Sequence, residues 1–358
     1  MSEAGLLLSL LREPRSATAL SGAQWDVVIR QARRADLLAR LGHLLDEADV
    51  TDGIPEPVRR HLESWQTLAK NHAESVRWEV DRIRAALSPI GLPVVLLKGA
   101  AYVAADILAL RGRLFYDVDI LVPEARIADA ERALVANGWV LTHLEAYDQR
   151  YYRQWMHEIP PLRHVGRKTV LDVHHNILPR TARLKPDGAK LLADARPVAG
   201  NPGIQTLSPA DMVLHSATHL FHDGELEHGL RDLVDLDGLI RHFATDPKFW
   251  SEISARATDL DLRRPLYYAL SNAASFLDTP VPEQVMGIAR QVRPRGGMDV
   301  VMAALFGRGL LPDHATCRPQ FSGLARWLLY VRSHYLRMPF HLLIPHLFRK
   351  AWRHRFQD

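Results

Sequence analysis

The sequence predicts an α+β protein. A mixed α/β core over residues 89–178 lies between helical regions at 1–88 and 208–358, with a linker at 179–207. Three observations carry that prediction. Apolar residues recur at helical spacing through the first 88 positions and again beyond Ser208. Between these regions, short β-branched and aliphatic runs alternate with helical patterns, as in strands interleaved with helices. The stretch between core and second helical region is loop-like, punctuated by Pro179, Pro186, Gly188, Pro197, Gly200, Pro202 and Gly203.

At 358 residues the chain is long enough to bury a sizeable core in two or three compact units. Apolar residues make up 47% and charged residues 24%, the balance of an ordinary globular protein. A net charge of +4 is mild: it permits contact with nucleic acid or anionic nucleotides but argues for neither. Cys317 is the only cysteine, so no internal disulfide forms and a reducing compartment is expected. The leucine run at residues 6–11 follows Glu3 and lacks a basic start, so it reads as an amphipathic helix rather than a signal peptide. No window reaches the apolar length of a membrane span. A cytoplasmic protein without stable membrane insertion is expected.

Taken in order, Ser21 opens a helix, with Trp25, Val28, Ile29 and Ala32 on one face. A second run follows at Leu37, Leu38, Leu41, Leu44 and Leu45. Thr51 to Pro55 is a turn, and Val58 to Leu87 makes one long helix or two, its alternating charges a solvated face. The core opens with a strand over Val94–Leu97, a Lys98-Gly99 turn and a helix over Gly99–Leu110. A strand over Phe115–Val122 is stopped by Pro123, and a helix over Glu124–Asn137 is closed by Gly138. Trp139–Leu144 reads as a strand and Tyr151–Met156 as a further candidate strand. Leu162–Val165 and Lys168–His174 form a hairpin around Gly166-Arg167. Ser208 then caps a helix whose first residue is Pro209. Further helices are expected near 228–243, 247–257, 262–276, 281–292 and 297–307, with one or two more past Gly323. The aromatic and basic stretch from Arg326 to Phe356 is expected to be a helix packed on the bundle with its arginines solvated. The competing reading is a surface that meets membrane or RNA.

Chemistry concentrates in the core. Asp117 and Asp119 stand two apart in a strand, so both carboxylates share one face while the other face is apolar. Like charges held side by side repel unless a cation neutralises them. Magnesium takes hard oxygen ligands, one or two carboxylates plus substrate phosphates, which fits this pair. Lys98-Gly99 at a strand-to-helix turn suits an anionic phosphate. Asp172 and His174 alternate onto one face of a later strand, and two-metal phosphoryl transfer has use for a third carboxylate.

These residues resemble the nucleotidyltransferase superfamily that includes DNA polymerase β. More narrowly, they are similar to a bacterial family of uncharacterised nucleotidyltransferases. The resemblance rests on Leu97-Lys98-Gly99, on Arg113 followed by Asp117-Val118-Asp119-Ile120-Leu121-Val122, and on Leu171-Asp172-Val173-His174. It extends over residues 5 to 245 through the opening helices and the Ser208-Pro209 helix with His215 and His219. It implies Asp117, Asp119 and Asp172 as catalytic and metal-binding residues, and Lys98, Gly99, Arg113 and His174 as nucleotide-binding ones. The implied cofactor is Mg²⁺, with Mn²⁺ as the alternative. The implied partners are an NTP and an acceptor that is a small molecule, a peptide or protein, or an RNA end. One departure stands out: the superfamily's usual Gly-Ser is Lys98-Gly99 here.

Two other readings compete. His215, His219, His222-Asp223, His228, Asp232 and Asp235 suggest an HD-like metal-dependent phosphohydrolase, although these residues are compressed into one helix, one turn and the start of the next. The plainer view makes His215 and His219 a polar helix face lining the cleft, and Asp232 and Asp235 a structural helix surface. The second alternative is a catalytically inactive nucleotide-binding or regulatory protein.

Overall fold

The computed structural model describes residues 3–223 and 226–344. Seven strands build a single mixed sheet: β1 (Val94–Leu97), β2 (Asp117–Leu121), β3 (Trp139–Leu141), β4 (Leu162–His164), β5 (Val170–His174), β6 (Arg196–Pro197) and β7 (Ile204–Thr206). Their spatial order is β3-β4-β5-β2-β1-β7-β6. At the centre β2 runs antiparallel to β1 and parallel to β5. All four residues of β1 are buried, as a strand covered on both faces requires.

The stretch at 179–207 is more than a linker. It contributes the helix Gly188–Ala193 and the strands β6 and β7, and β7 pairs in parallel with β1. The sheet therefore reaches Thr206, past the expected core boundary at 178. Three short residues of β7 among prolines and glycines gave too brief a pattern to stand out as a strand.

Helices enclose the sheet at both ends of the chain. Leu6–Arg12 buries Leu6, Leu7 and Leu10 of the leucine run. Ser21 caps Gly22–Arg34 through a reciprocal pair with Gln24. Glu56–Leu87 is one uninterrupted 32-residue helix, packed against β1 and the helices Lys98–Ala104 and Ile127–Ala136. No helix among the described residues is long and apolar enough to cross a membrane.

The second helical region also follows its sequence signals. Ser208 accepts a hydrogen bond from the Asp211 backbone N–H at the start of Pro209–Thr218. The helices Gly229–Phe243, Phe249–Asp259, Arg263–Leu277, Glu283–Arg290 and Met298–Gly309 follow, and Ser322–Arg337 closes the described bundle. That last helix buries Ala325, Leu329 and Ser333. Its arginines are not simply solvated: Arg332 donates to the Phe221 carbonyl, and Arg326 donates to those of Gly309 and Leu311. The stretch from residue 345 onward lies outside the described residues.

Candidate active site

Strand register assembles the site. In the parallel β2–β5 pair Asp119 sits directly opposite Asp172, and in the antiparallel β1–β2 pair it sits opposite Leu97. Neighbouring strands lie roughly 4.8 Å apart, so this register alone brings two carboxylates side by side. Asp117, two residues before Asp119, joins them on the same face. One carboxylate oxygen from each of Asp117, Asp119 and Asp172 lies within 4.8 Å of the other two. On the opposite face Val118, Ile120, Leu171 and Val173 are buried in the core.

Lys98 follows Leu97 at the end of β1, with φ at 45°, a region seldom adopted by residues with a side chain. Its Nζ lies 3.3 Å from Asp119 Oδ1. His174, two residues past Asp172 on β5, places Nε2 2.9 Å from the same oxygen. Gly99 has a packing task. A Cβ there would come within 2.7 Å of the Phe115 ring, so glycine is required for the helix to pack on Phe115.

The electrostatics are uneven across the three carboxylates. Burial alone would raise Asp119, but the Lys98 ammonium and the His174 hydrogen bond reverse this and hold it well below the usual range. Burial and the neighbouring Asp119 charge push Asp117 upward, and they push Asp172 up to about 7. Asp172 Oδ1 is buried without a hydrogen-bond partner. A buried carboxylate oxygen in that condition is costly unless something positive meets it. The donor set is all hard oxygen, so these three residues fit a magnesium-class ion.

A family model of uncharacterised nucleotidyltransferases matches residues 21–278. The chain belongs to this family. A crystal structure of JHP933 from Helicobacter pylori is similar at 13% identity over 75% of this chain and 94% of that one, with a TM-score of 0.33. No curated protein matches the chain.

In this nucleotidyltransferase-family chain, the three aspartates, Lys98 and His174 open into one cavity of about 600 Å³. Sequence reasoning missed most of its walls. Tyr147, Tyr151 and Tyr152 come from the helix Ala146–Trp155, where a candidate strand was expected over Tyr151–Met156. Aromatic residues mimic strand composition, but Tyr147 and Tyr151 stand four apart and share a helix face. Tyr330, His334 and Arg337 line the cavity from Ser322–Arg337, at the i, i+4 and i+7 spacing of one helix face. Arg183 fixes that wall: its backbone N–H donates to the Leu336 carbonyl, and its guanidinium lies 3.8 Å from the Tyr335 ring centre.

Arg113 is placed elsewhere. Its Nε donates to Asp235 Oδ2 at 2.6 Å, and its Nη2 lies 3.5 Å from Asp232. The structure thus turns it away from the nucleotide-binding role expected of it and into a buried ion cluster. Asp232 and Asp235, expected on a helix surface, are buried with it. Gly112 lets this loop through, because a Cβ there would strike the Arg40 backbone nitrogen at 2.6 Å, and its φ is 88°.

The histidine group is also dispersed. His215 and His219 line the aspartate cavity, and a π-helical turn begins at His219. Burial, with Lys98, His219 and His174 nearby, keeps His215 neutral far below the usual imidazole range. His222 faces a separate cavity beside Arg264 and Tyr268, and His228 lies 3.3 Å from Asp36. The Asp223 side chain lies outside the described residues. Among the described residues, the groups that could hold a metal are Asp117–Asp119–Asp172 and His157–Glu158–His174, and neither contains His215, His219, His222, His228, Asp232 or Asp235.

Proposed function

We propose that the protein transfers a nucleoside monophosphate from an NTP to an acceptor hydroxyl inside the cavity, with pyrophosphate leaving. The observation that carries this reading is the convergence of Asp117, Asp119 and Asp172 across paired strands, with one buried oxygen of Asp172 left unsatisfied. Asp117 and Asp119 would hold Mg²⁺ or Mn²⁺, and Asp172 would complete the set. A bound ion of this kind neutralises the charge that builds on the phosphoryl oxygens.

The chain's own residues supply the rest. Lys98 lies beside Asp119 and would pair with a phosphate once the carboxylate faces an ion instead. Asp172, beside the metal set, would accept the acceptor's proton as its oxygen attacks the α-phosphorus. The P–O bond to the bridging oxygen then breaks and the electron pair departs with pyrophosphate. His174 holds Asp119 through its Nε2 contact. Tyr147, Tyr151 and Tyr152 offer faces for a nucleobase, and stacking of this kind tolerates any base. Arg337 offers a guanidinium for an anionic acceptor or phosphate.

The test is incubation of the full chain with each labelled NTP and Mg²⁺ against a cell extract, beside the Asp117→Asn/Asp119→Asn variant. Label should move to an acceptor only with the wild-type protein. Equal labelling by both, or equal Mg²⁺-dependent NTP affinity, would overturn the reading.

A further inference from the structure

Next to the aspartates lies a second group of donors with different chemistry. His157 and Glu158 precede Ile159, whose N–H donates to the Val173 carbonyl, while the His175 N–H donates to that of His157. An antiparallel bridge sets Glu158 opposite His174, so their side chains share a face. Backbone pairing on both sides thus fixes where these three side chains start.

One ligand atom from each of His157, Glu158 and His174 lies within 4.8 Å of the others. Ligands on a tetrahedral ion stand roughly 3.3 Å apart, so binding would draw these atoms closer. The ring centres of His157 and His174 are 5.2 Å apart. Two imidazoles on one tetrahedral ion, each nitrogen about 2.1 Å from it, place their ring centres roughly 5 Å apart. His174 is 2% exposed, and its two nitrogens face different neighbours. Nε2 meets Asp119, while Nδ1 makes no hydrogen bond and lies 3.4 Å from Glu158 Oε2. A histidine ligand usually donates its second ring N–H to a carboxylate, which fixes tautomer and ring plane. Asp119 occupies that second position here, leaving Nδ1 on the side of Glu158.

We propose that His157, Glu158 and His174 form a binding site for a zinc-class divalent ion, separate from the aspartate site and joined to it through the His174–Asp119 hydrogen bond. Two imidazoles and one carboxylate select a borderline ion such as Zn²⁺ over Mg²⁺, which prefers an all-oxygen shell. All three residues line the same cavity, so the fourth coordination position opens toward substrate space. There it would take water or an acceptor oxygen. Through His174 the ion would also fix the orientation of Asp119, making His157 and Glu158 positioning residues for the carboxylate.

The experiment is metal binding by the purified full chain without nucleotide, with excess Mg²⁺ present. Co²⁺ serves as an optical probe of coordination, and Zn²⁺ content is read by elemental analysis. One ion per chain should bind, with Co²⁺ giving the visible spectrum of a four-coordinate nitrogen–oxygen site. His157→Ala and Glu158→Gln should each weaken binding about 100-fold or more, and Asp117→Asn should retain it. Absence of stoichiometric Zn²⁺ or Co²⁺ overturns the site. So does His157→Ala and Glu158→Gln binding as wild type, or loss of the ion in Asp117→Asn, which would place it among the aspartates. No NTP enters the assay, so its outcome is independent of nucleotidyl transfer.

Discussion

Two buried carboxylate groups in this molecule have been treated in opposite ways. Asp232 and Asp235, on the helix Gly229–Phe243, close around the Arg113 guanidinium, and Arg231 Nε adds a contact to Asp232 Oδ1 at 3.0 Å. Burial would lower Arg113, but Asp235 and Asp232 more than restore it, and the group stays charged. Asp117, Asp119 and Asp172 have no such filling. Lys98 and His174 both attend Asp119, while Asp117 and Asp172 are raised by burial and by Asp119 itself. The first cluster is charge-balanced by its own side chains and holds the loop before β2. The second is short of positive charge and opens into a cavity. Burial of acid groups therefore says little about function; the missing counter-charge is the informative part.

The largest test breaks the second cluster's chemistry. Asp117→Asn with Asp119→Asn should lower NTP-dependent labelling by about 10³-fold or more, equivalent to ~4 kcal/mol of transition-state stabilisation. For stability the informative change is Asp117→Asn alone: it removes a like charge beside Asp119, so the metal-free single variant should be no less stable than wild type by thermal melting. A large loss of stability would mean that these residues behave like the first cluster.

Arg113→Met is the reciprocal change. Removing one partner of a buried ion pair costs about 3–5 kcal/mol, readable in denaturant unfolding. Replacing Arg113, Asp232 and Asp235 together by apolar residues of similar volume should recover most of that loss. If Arg113→Met instead leaves stability intact and weakens NTP binding, Arg113 belongs to the nucleotide site after all.

A smaller change is expected from Lys98→Met, which removes the ammonium beside Asp119. The KM for NTP should rise about tenfold, or ~1.4 kcal/mol, with much less effect on unfolding. An unchanged KM would confine Lys98 to holding Asp119.

The smallest effect is a pH dependence. Asp172 is raised from 3.8 to about 7. Between those values the folded chain keeps a proton that the unfolded chain has lost, so the metal-free fold is most stable at the acid end. This contribution falls as pH rises through the interval and is gone above about 7. Melting temperatures from pH 4 to 8 should therefore decline by a few degrees from this group, less so in Asp172→Asn. Added Mg²⁺ should offset the decline at pH 8 and do little at pH 5.

Much of the second cluster could be read from sequence, because strand alternation is local. Asp117-x-Asp119 and Asp172-x-His174 each declare a shared face within three residues. Their meeting depends only on β2 lying beside β5 in register. The Arg113 cluster was opaque, since its partners lie 122 and 119 residues away on a helix whose polar positions look like ordinary surface. His157 and Glu158 were invisible for another reason. A single bridge to His174 places them, and one bridge leaves no periodic trace. The tyrosine wall was hidden by composition, because three tyrosines and a tryptophan over residues 147–155 resemble strand as much as helix.

The helix Ser322–Arg337 lies beyond residue 278, where the match to the family ends. It nevertheless supplies Tyr330, His334 and Arg337 to the cavity. The carboxylate floor thus comes from the shared part of the chain and one wall from outside it, like a common vice fitted with its own jaw.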